Sequence, residues 1–136
     1  MKVGFTGTRE GMTRNQRLAL HKALDELTMG FLTIEEFHHG DCVGADEQAD
    51  EIAWSYTDKI VIHPPIKDDL RAYCIHEVGG VEILEPKEYL ERDRAIVDAC
   101  DILIAAPKSK KREKSGTWYT INYAKKQGKK VIGLEP

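Results

Sequence analysis

The chain has 136 residues, of which 41% are hydrophobic and 32% charged, and its net charge is −3. That length suffices for one domain, residues 1–136, with a core that needs no disulfide or metal, and the composition excludes a disordered chain. The negative balance leaves nucleic acid no general electrostatic attraction, only local basic patches.

In chain order, KVGFT predicts a first strand over 2–6, followed by the glycine-bounded loop Gly7-Thr8-Arg9-Glu10-Gly11. Thr13 then caps a helix over 14–27, whose Leu20, Ala23, Leu24 and Leu27 form one apolar stripe. A second strand is expected over 32–38. The turn HGDCVGAD at 39–46 closes it and opens a helix carrying Ala45, Ala49, Ile52, Ala53 and Tyr56 on one face. KIVIH at 59–63 is a third strand, stopped by Pro64 and Pro65. Over 66–85 the pattern weakens, and Gly79-Gly80 argues against one long helix. There we expect a short helix over 67–76 and a minor strand or turn over 81–84. Pro86 suits the start of a helix over 87–100. DILIAA at 101–106 is a buried fourth strand, Ser115-Gly116-Thr117 opens the last helix, and VIGL at 131–134 is the fifth strand.

Strands alternating with helices predict a three-layer α/β domain with a mainly parallel five-stranded sheet, in the order 3-2-1-4-5. Ligands of such sheets bind at the carboxyl edge where the strand order reverses. Here that edge gathers the loops 7–11, 39–46 and 107–116. All three are rich in glycine and small polar residues, as suits backbone approached closely by a ligand.

Gly7, Thr8, Arg9, Gly40, Gly44 and Ala45 are therefore candidate ligand contacts. Ser115, Gly116 and Thr117 offer unpaired helix-start N–H groups to a phosphate or carboxylate, although Ser115 also suits a plain cap. Trp118 is placed to stack on a base. Neither GxGxxG nor GxxxxGK[ST] is present, so a standard dinucleotide or P-loop site is not supported. Arg92 falls on the sheet-facing stripe of its helix, where burial demands an anion: either a ligand phosphate or carboxylate, or a structural ion pair with Asp93. Asp41 and Asp46 would repel phosphate and suit ribose hydroxyls or magnesium, while helix-dipole stabilisation alone also accounts for Asp46. His63 ends the third strand at the expected pocket. His38, His39 and His76 lack metal-ligand spacing, and no cofactor or metal is expected. The run 108–114 suits a solvated loop or a lid for polyanions. Cys42, Cys74 and Cys100 are odd in number, widely separated and without a CxxC pair, so reduced thiols are expected. No apolar run could span a bilayer and MKVGFTG enters a strand at once, so we expect a cytoplasmic protein with no membrane partner.

Taken together, GFTGTR at 4–9, HGDCVGAD at 39–46, ERDRAIVDACDILIAAP at 91–107 and SGTWYT at 115–120 resemble the SLOG superfamily of Rossmann-like nucleotide-binding proteins. Relatives in that superfamily include cytokinin-activating phosphoribohydrolases and a DNA-processing protein of natural transformation; small stand-alone phage or bacterial members are the most similar. The resemblance implies that Gly116 and Thr117 match the phosphate-binding Gly-Thr of PGGxGTxxE and that Arg92 matches the family's helical arginine. The motif's catalytic Glu falls at Thr120, which cannot act as a carboxylate base. The expectation is thus a nucleotide or nucleotide-derived ligand, ADP-ribose-like or a nucleoside phosphate, held by a sensor, carrier or sequestering protein. Two alternatives stay open: an N-glycosidic-bond hydrolase or transferase, and a single-strand nucleic-acid binder, which the negative charge disfavours. The resemblance also implies a homodimer.

Overall fold

The computed structural model of the chain describes residues 1–76, 79–111 and 114–136. Its elements are β1 (Lys2–Gly7), α1 (Arg14–Leu27), β2 (Glu36–His39), α2 (Ala45–Ala53), β3 (Ile60–Ile62), β4 (Val81–Ile83), α3 (Tyr89–Ala99), β5 (Ile102–Ala106), α4 (Gly116–Lys126) and β6 (Lys130–Gly133). The strands form one parallel sheet in the order β4-β3-β2-β1-β5-β6. The expected five-strand order is its β3-β2-β1-β5-β6 portion. The sixth strand, β4, lies outside β3, pairing Val81 with Ile60 and Ile83 with Ile62. It falls within 81–84, where the sequence predicts a minor strand or turn, and a strand is what forms, in addition to the five expected of the sheet.

Alternation along the strands divides the core. Val3 and Phe5 pack with Leu20, Leu24, Phe37 and Ile104 on the face that α1 and α2 cover, whereas Val97, Leu103 and Ala124 cluster under α3 and α4. On that second face Gly4 lets α3 approach closely, since a Cβ there would lie 2.6 Å from Cys100 Sγ. Helix α1 starts as expected, with a capping box in which the Gln16 N–H donates to Thr13 Oγ1 and the Thr13 N–H to Gln16 Oε1. Gln16, fully buried, also donates through Nε2 to Pro107 O at 2.7 Å and Leu134 O at 3.1 Å. The cap of α1 thereby grips the chain just past β5 and β6.

The expected helix over 67–76 is not formed. Its backbone donors go instead to Asp41: the Cys74 N–H to the carboxylate at 2.9 Å and the Ala72 N–H to the main-chain oxygen at 2.6 Å. Arg71 Nε adds an ion pair at 2.8 Å to the same carboxylate. The third helix begins at Tyr89 rather than 87, because Lys87 is held extended by exchange with Pro64 O and the Ile66 N–H. Among the described residues no helix is long and apolar enough to cross a membrane.

At the ends of β2 and β3 a histidine pair is buried. His38 Nδ1 lies 2.8 Å from His63 Nε2, and His38 Nε2 lies 2.8 Å from Glu36 Oε1. Burial, with the neighbouring His38 and Arg92 adding, pushes His63 down to about 3, and burial lowers His38 as well. An unfolded histidine titrates near 6.5, so between 6.5 and about 3 the unfolded chain takes up a proton that the native state refuses. Stability that is complete above pH 6.5 is therefore lost as pH falls, by up to ~1.4 kcal/mol per pH unit for each such group. His63→Gln should flatten the acid limb of a plot of urea midpoint against pH. An unchanged limb would show that His63 does not contribute to it.

Candidate functional site

Strand β1 sits where the chain's path reverses, with β2 on one side and β5 on the other. The loop after β1 turns toward α1 and the loop after β5 toward α4, which leaves a crevice at the carboxyl edge between them. A cavity of about 450 Å³ occupies it. Its walls include Gly7, Thr8 and Arg9 after β1, Gly40 and Asp46 around the start of α2, Arg92 on α3, and Ser115, Gly116 and Thr117 at the start of α4.

Five expected contacts lie elsewhere. Gly44 and Ala45 stand behind the wall, where the Ala45 N–H donates to Thr8 O and ties two of the loops together. Asp41, fully buried with φ +56°, clamps the 71–74 segment as described. His63 points to His38, and only its carbonyl serves the site, by accepting from Arg92. Trp118 does not border the cavity. Its indole Nε1 is buried and, among the described residues, finds no acceptor.

The floor is the start of α4. Ser115 caps it by accepting from the Trp118 N–H at 3.2 Å. The Gly116 and Thr117 N–H groups have no acceptor among the described residues, and they carry the positive end of the helix dipole. Thr120 is spent within the helix, its hydroxyl donating to Gly116 O at 2.8 Å. Arg9, Lys108 and Lys114 stand at the exposed rim, with Glu10 paired to Lys108 at 2.9 Å. Of the expected lid, residues 112 and 113 lie outside the described residues.

Arg92 is 5% exposed, and four of its five N–H bonds are engaged. Nε donates to Asp93 Oδ1 at 2.9 Å, Nη1 to Gly40 O at 2.5 Å and His63 O at 3.2 Å, and Nη2 to Cys42 Sγ at 3.7 Å. The ion pair with Asp93, one of the two readings of this arginine, is thus present. Asp46 and Asp93 are the buried carboxyls of the cavity. Burial raises both, Asp93 to about 6 despite the opposing pull of Arg92. On stability this acts opposite to His63: between 3.8 and about 6 the native state keeps a proton that the unfolded chain releases, so the contribution falls as pH rises.

The sequence reading missed Tyr89 and Leu90, which give the cavity an apolar lip, and it treated Asp93 only as a partner for Arg92. The signal available was position: all three lie within one turn of Arg92. A second polar cluster, His39, Asp50 and Cys74, has donor atoms close enough for a metal. His39 Nδ1, however, accepts from the Asp41 N–H, so a neutral imidazole carries its proton on Nε2, where it donates to Asp50 at 2.7 Å. His76 bonds the other Asp50 oxygen and stacks on Trp54. The donor set fits a hydrogen-bonded network and not a metal centre.

No known protein family and no curated protein matches the sequence. Two solved structures match its fold over nearly the whole chain. One is TM1055, at a TM-score of 0.63 and 16% identity, covering 96% of this chain and 71% of that one. The other is DNA processing protein A from Streptococcus pneumoniae, at 0.65 and 18%, covering 97% of this chain. The chain therefore shares the parallel α/β fold of these two proteins. It spans about half (49%) of the streptococcal protein.

The glycines of the three loops serve the protein before any ligand. A Cβ on Gly7 would lie 2.5 Å from Ala45 Cβ, and one on Gly44 2.3 Å from Arg9 O, where φ is also +89°. On Gly40 it would meet Arg92 Nη1 at 2.2 Å. Gly116 alone of the four faces open space, with Asp93 Oδ2 the nearest atom at 3.9 Å. Gly40→Ala should therefore push the guanidinium off its carbonyls and cost ~1–3 kcal/mol in urea unfolding. The cost should shrink in an Arg92→Met background; an equal cost in both backgrounds would mean that the glycine serves something other than Arg92.

Proposed function

We propose that the whole chain acts as one nucleotide-binding domain that senses, carries or sequesters a nucleotide-derived small molecule. The observation that carries the reading is the pair of N–H groups on Gly116 and Thr117, without an acceptor among the described residues, at the floor of a cavity rimmed by Arg9, Lys108 and Lys114. A helix start of this kind takes a phosphate without a cationic side chain in the first position. The phosphate then lies on α4, ribose hydroxyls face Asp46, and the base leans on Tyr89 and Leu90. Thr120 offers no carboxylate and is already bonded within its helix, which favours binding over cleavage.

Gly116→Asp tests this directly, because the site has room for the side chain and an acidic residue suits a helix start. Calorimetric titration with AMP and ADP-ribose should give saturable binding to wild type, weakened at least ~10-fold in the folded variant (about 1.4 kcal/mol). Equal binding by both proteins would remove the phosphate from α4. Recovery of free base and ribose phosphate from the wild-type mixture would replace binding with hydrolysis.

A further inference from the structure

The anion floor has a neighbour of the wrong sign. Asp93 is 8% exposed and borders the cavity, and its Oδ2 is the nearest atom to the space above Gly116. A phosphate on the Gly116 and Thr117 N–H groups therefore lies beside a carboxyl. Arg92 does not resolve the conflict, because its Nε is given to the other oxygen, Oδ1, and three more of its N–H bonds go to Gly40, His63 and Cys42. Two full negative charges that close in a desolvated site repel strongly, and the repulsion is removed when one proton sits between them.

We propose, on the strength of the phosphate position just given, that Asp93 is the specificity-determining residue of this subsite: it shares a single proton with the bound anion, so that the pocket selects a phosphate monoester over a sulfate. A phosphate monoester has a second pKa near 6 and can carry that proton itself, or accept a hydrogen bond from a protonated Asp93. A sulfate carries no proton at any pH the protein survives, so Asp93 must supply it alone. The groups facing Asp93 agree with this role. Arg92 on its own helix favours its charged form, while burial and Asp46 on α2 oppose that form and leave it near 6. Cys42 beside Arg92 stays a thiol, its value raised by burial and by Asp46. The cations Arg9, Lys108 and Lys114 stand at the exposed rim of the cavity.

The probes are inorganic phosphate and inorganic sulfate, which carry no base or sugar. Chemical shifts of the Gly116 and Thr117 amides are followed through titration at pH 5.5 and pH 7.5. Phosphate should move both amides at either pH, whereas sulfate should move them at pH 5.5 and bind at least ~10-fold more weakly at pH 7.5. Asp93→Asn, which keeps an oxygen for Arg92 Nε, should abolish the difference, with sulfate binding equally at both pH values. Sulfate and phosphate binding alike to wild type at pH 7.5 would overturn the proposal and leave the phosphate site standing. Amides that respond to neither anion at either pH, in wild type and in Asp93→Asn, would overturn both. Should the variant not fold, the wild-type comparison of the two anions decides alone.

Discussion

One buried cation organises the carboxyl edge of this sheet. Arg92 joins the residue after β2, the residue after β3 and its own helix through the oxygens of Gly40, His63 and Asp93. Burying a guanidinium is costly unless nearly all its donors are met, and truncating one partner of such a group leaves a charge in low dielectric. The requirement propagates outward. Gly40 must lack a side chain, Asp93 must lie beside Arg92, and His63 must stay neutral next to a fixed positive charge.

The result is a pocket graded in polarity. Among the described residues its rim carries Arg9, Lys108 and Lys114 with Glu10, while its depth holds the carboxyls of Asp46 and Asp93 around the Arg92 guanidinium. Long-range attraction and close-range selection are therefore assigned to different layers. The rim raises the local concentration of anions, and the interior decides which anion can be desolvated. The start of α4, whose first two N–H groups have no acceptor among the described residues, lies between these layers and gives the charge a place to settle without requiring a lysine or arginine to close over it.

Much of this was legible in the sequence, and the reasons are physical. The Thr13 cap, the Leu20 and Leu24 stripe, DILIAA and the Ser115 cap are local signals, and each formed as read. The order of the central strands followed from right-handed crossovers, which leave few options. Where the reading strayed, the deciding contact came from far along the chain. Asp41 looked like a ligand contact because it stands in a glycine-rich turn, yet its partners are Arg71 and Cys74, 30 and 33 residues away. The same contacts unmade the helix expected over 67–76. His63 was placed at the correct edge, but nothing in the local sequence says that its ring meets His38. The glycines of the three loops were read as room for a ligand, whereas Gly7, Gly40 and Gly44 make room for Ala45, Arg92 and Arg9.

The position of β1 has a consequence for how the chain comes to exist. It precedes the other five strands of the sheet in the chain and lies fourth from one edge and third from the other, with one neighbour at 36–39 and the other at 102–106. As the chain leaves the ribosome, β1 can pair with β2 early. Its second flank waits for β5, which emerges some hundred residues later. Through that interval the nascent chain presents an open strand bearing Val3 and Phe5, the kind of edge on which other chains assemble. The Gln16 grip on Pro107 and Leu134 closes later still, so the cap of α1 is completed only once the residues that follow β5 and β6 have been made.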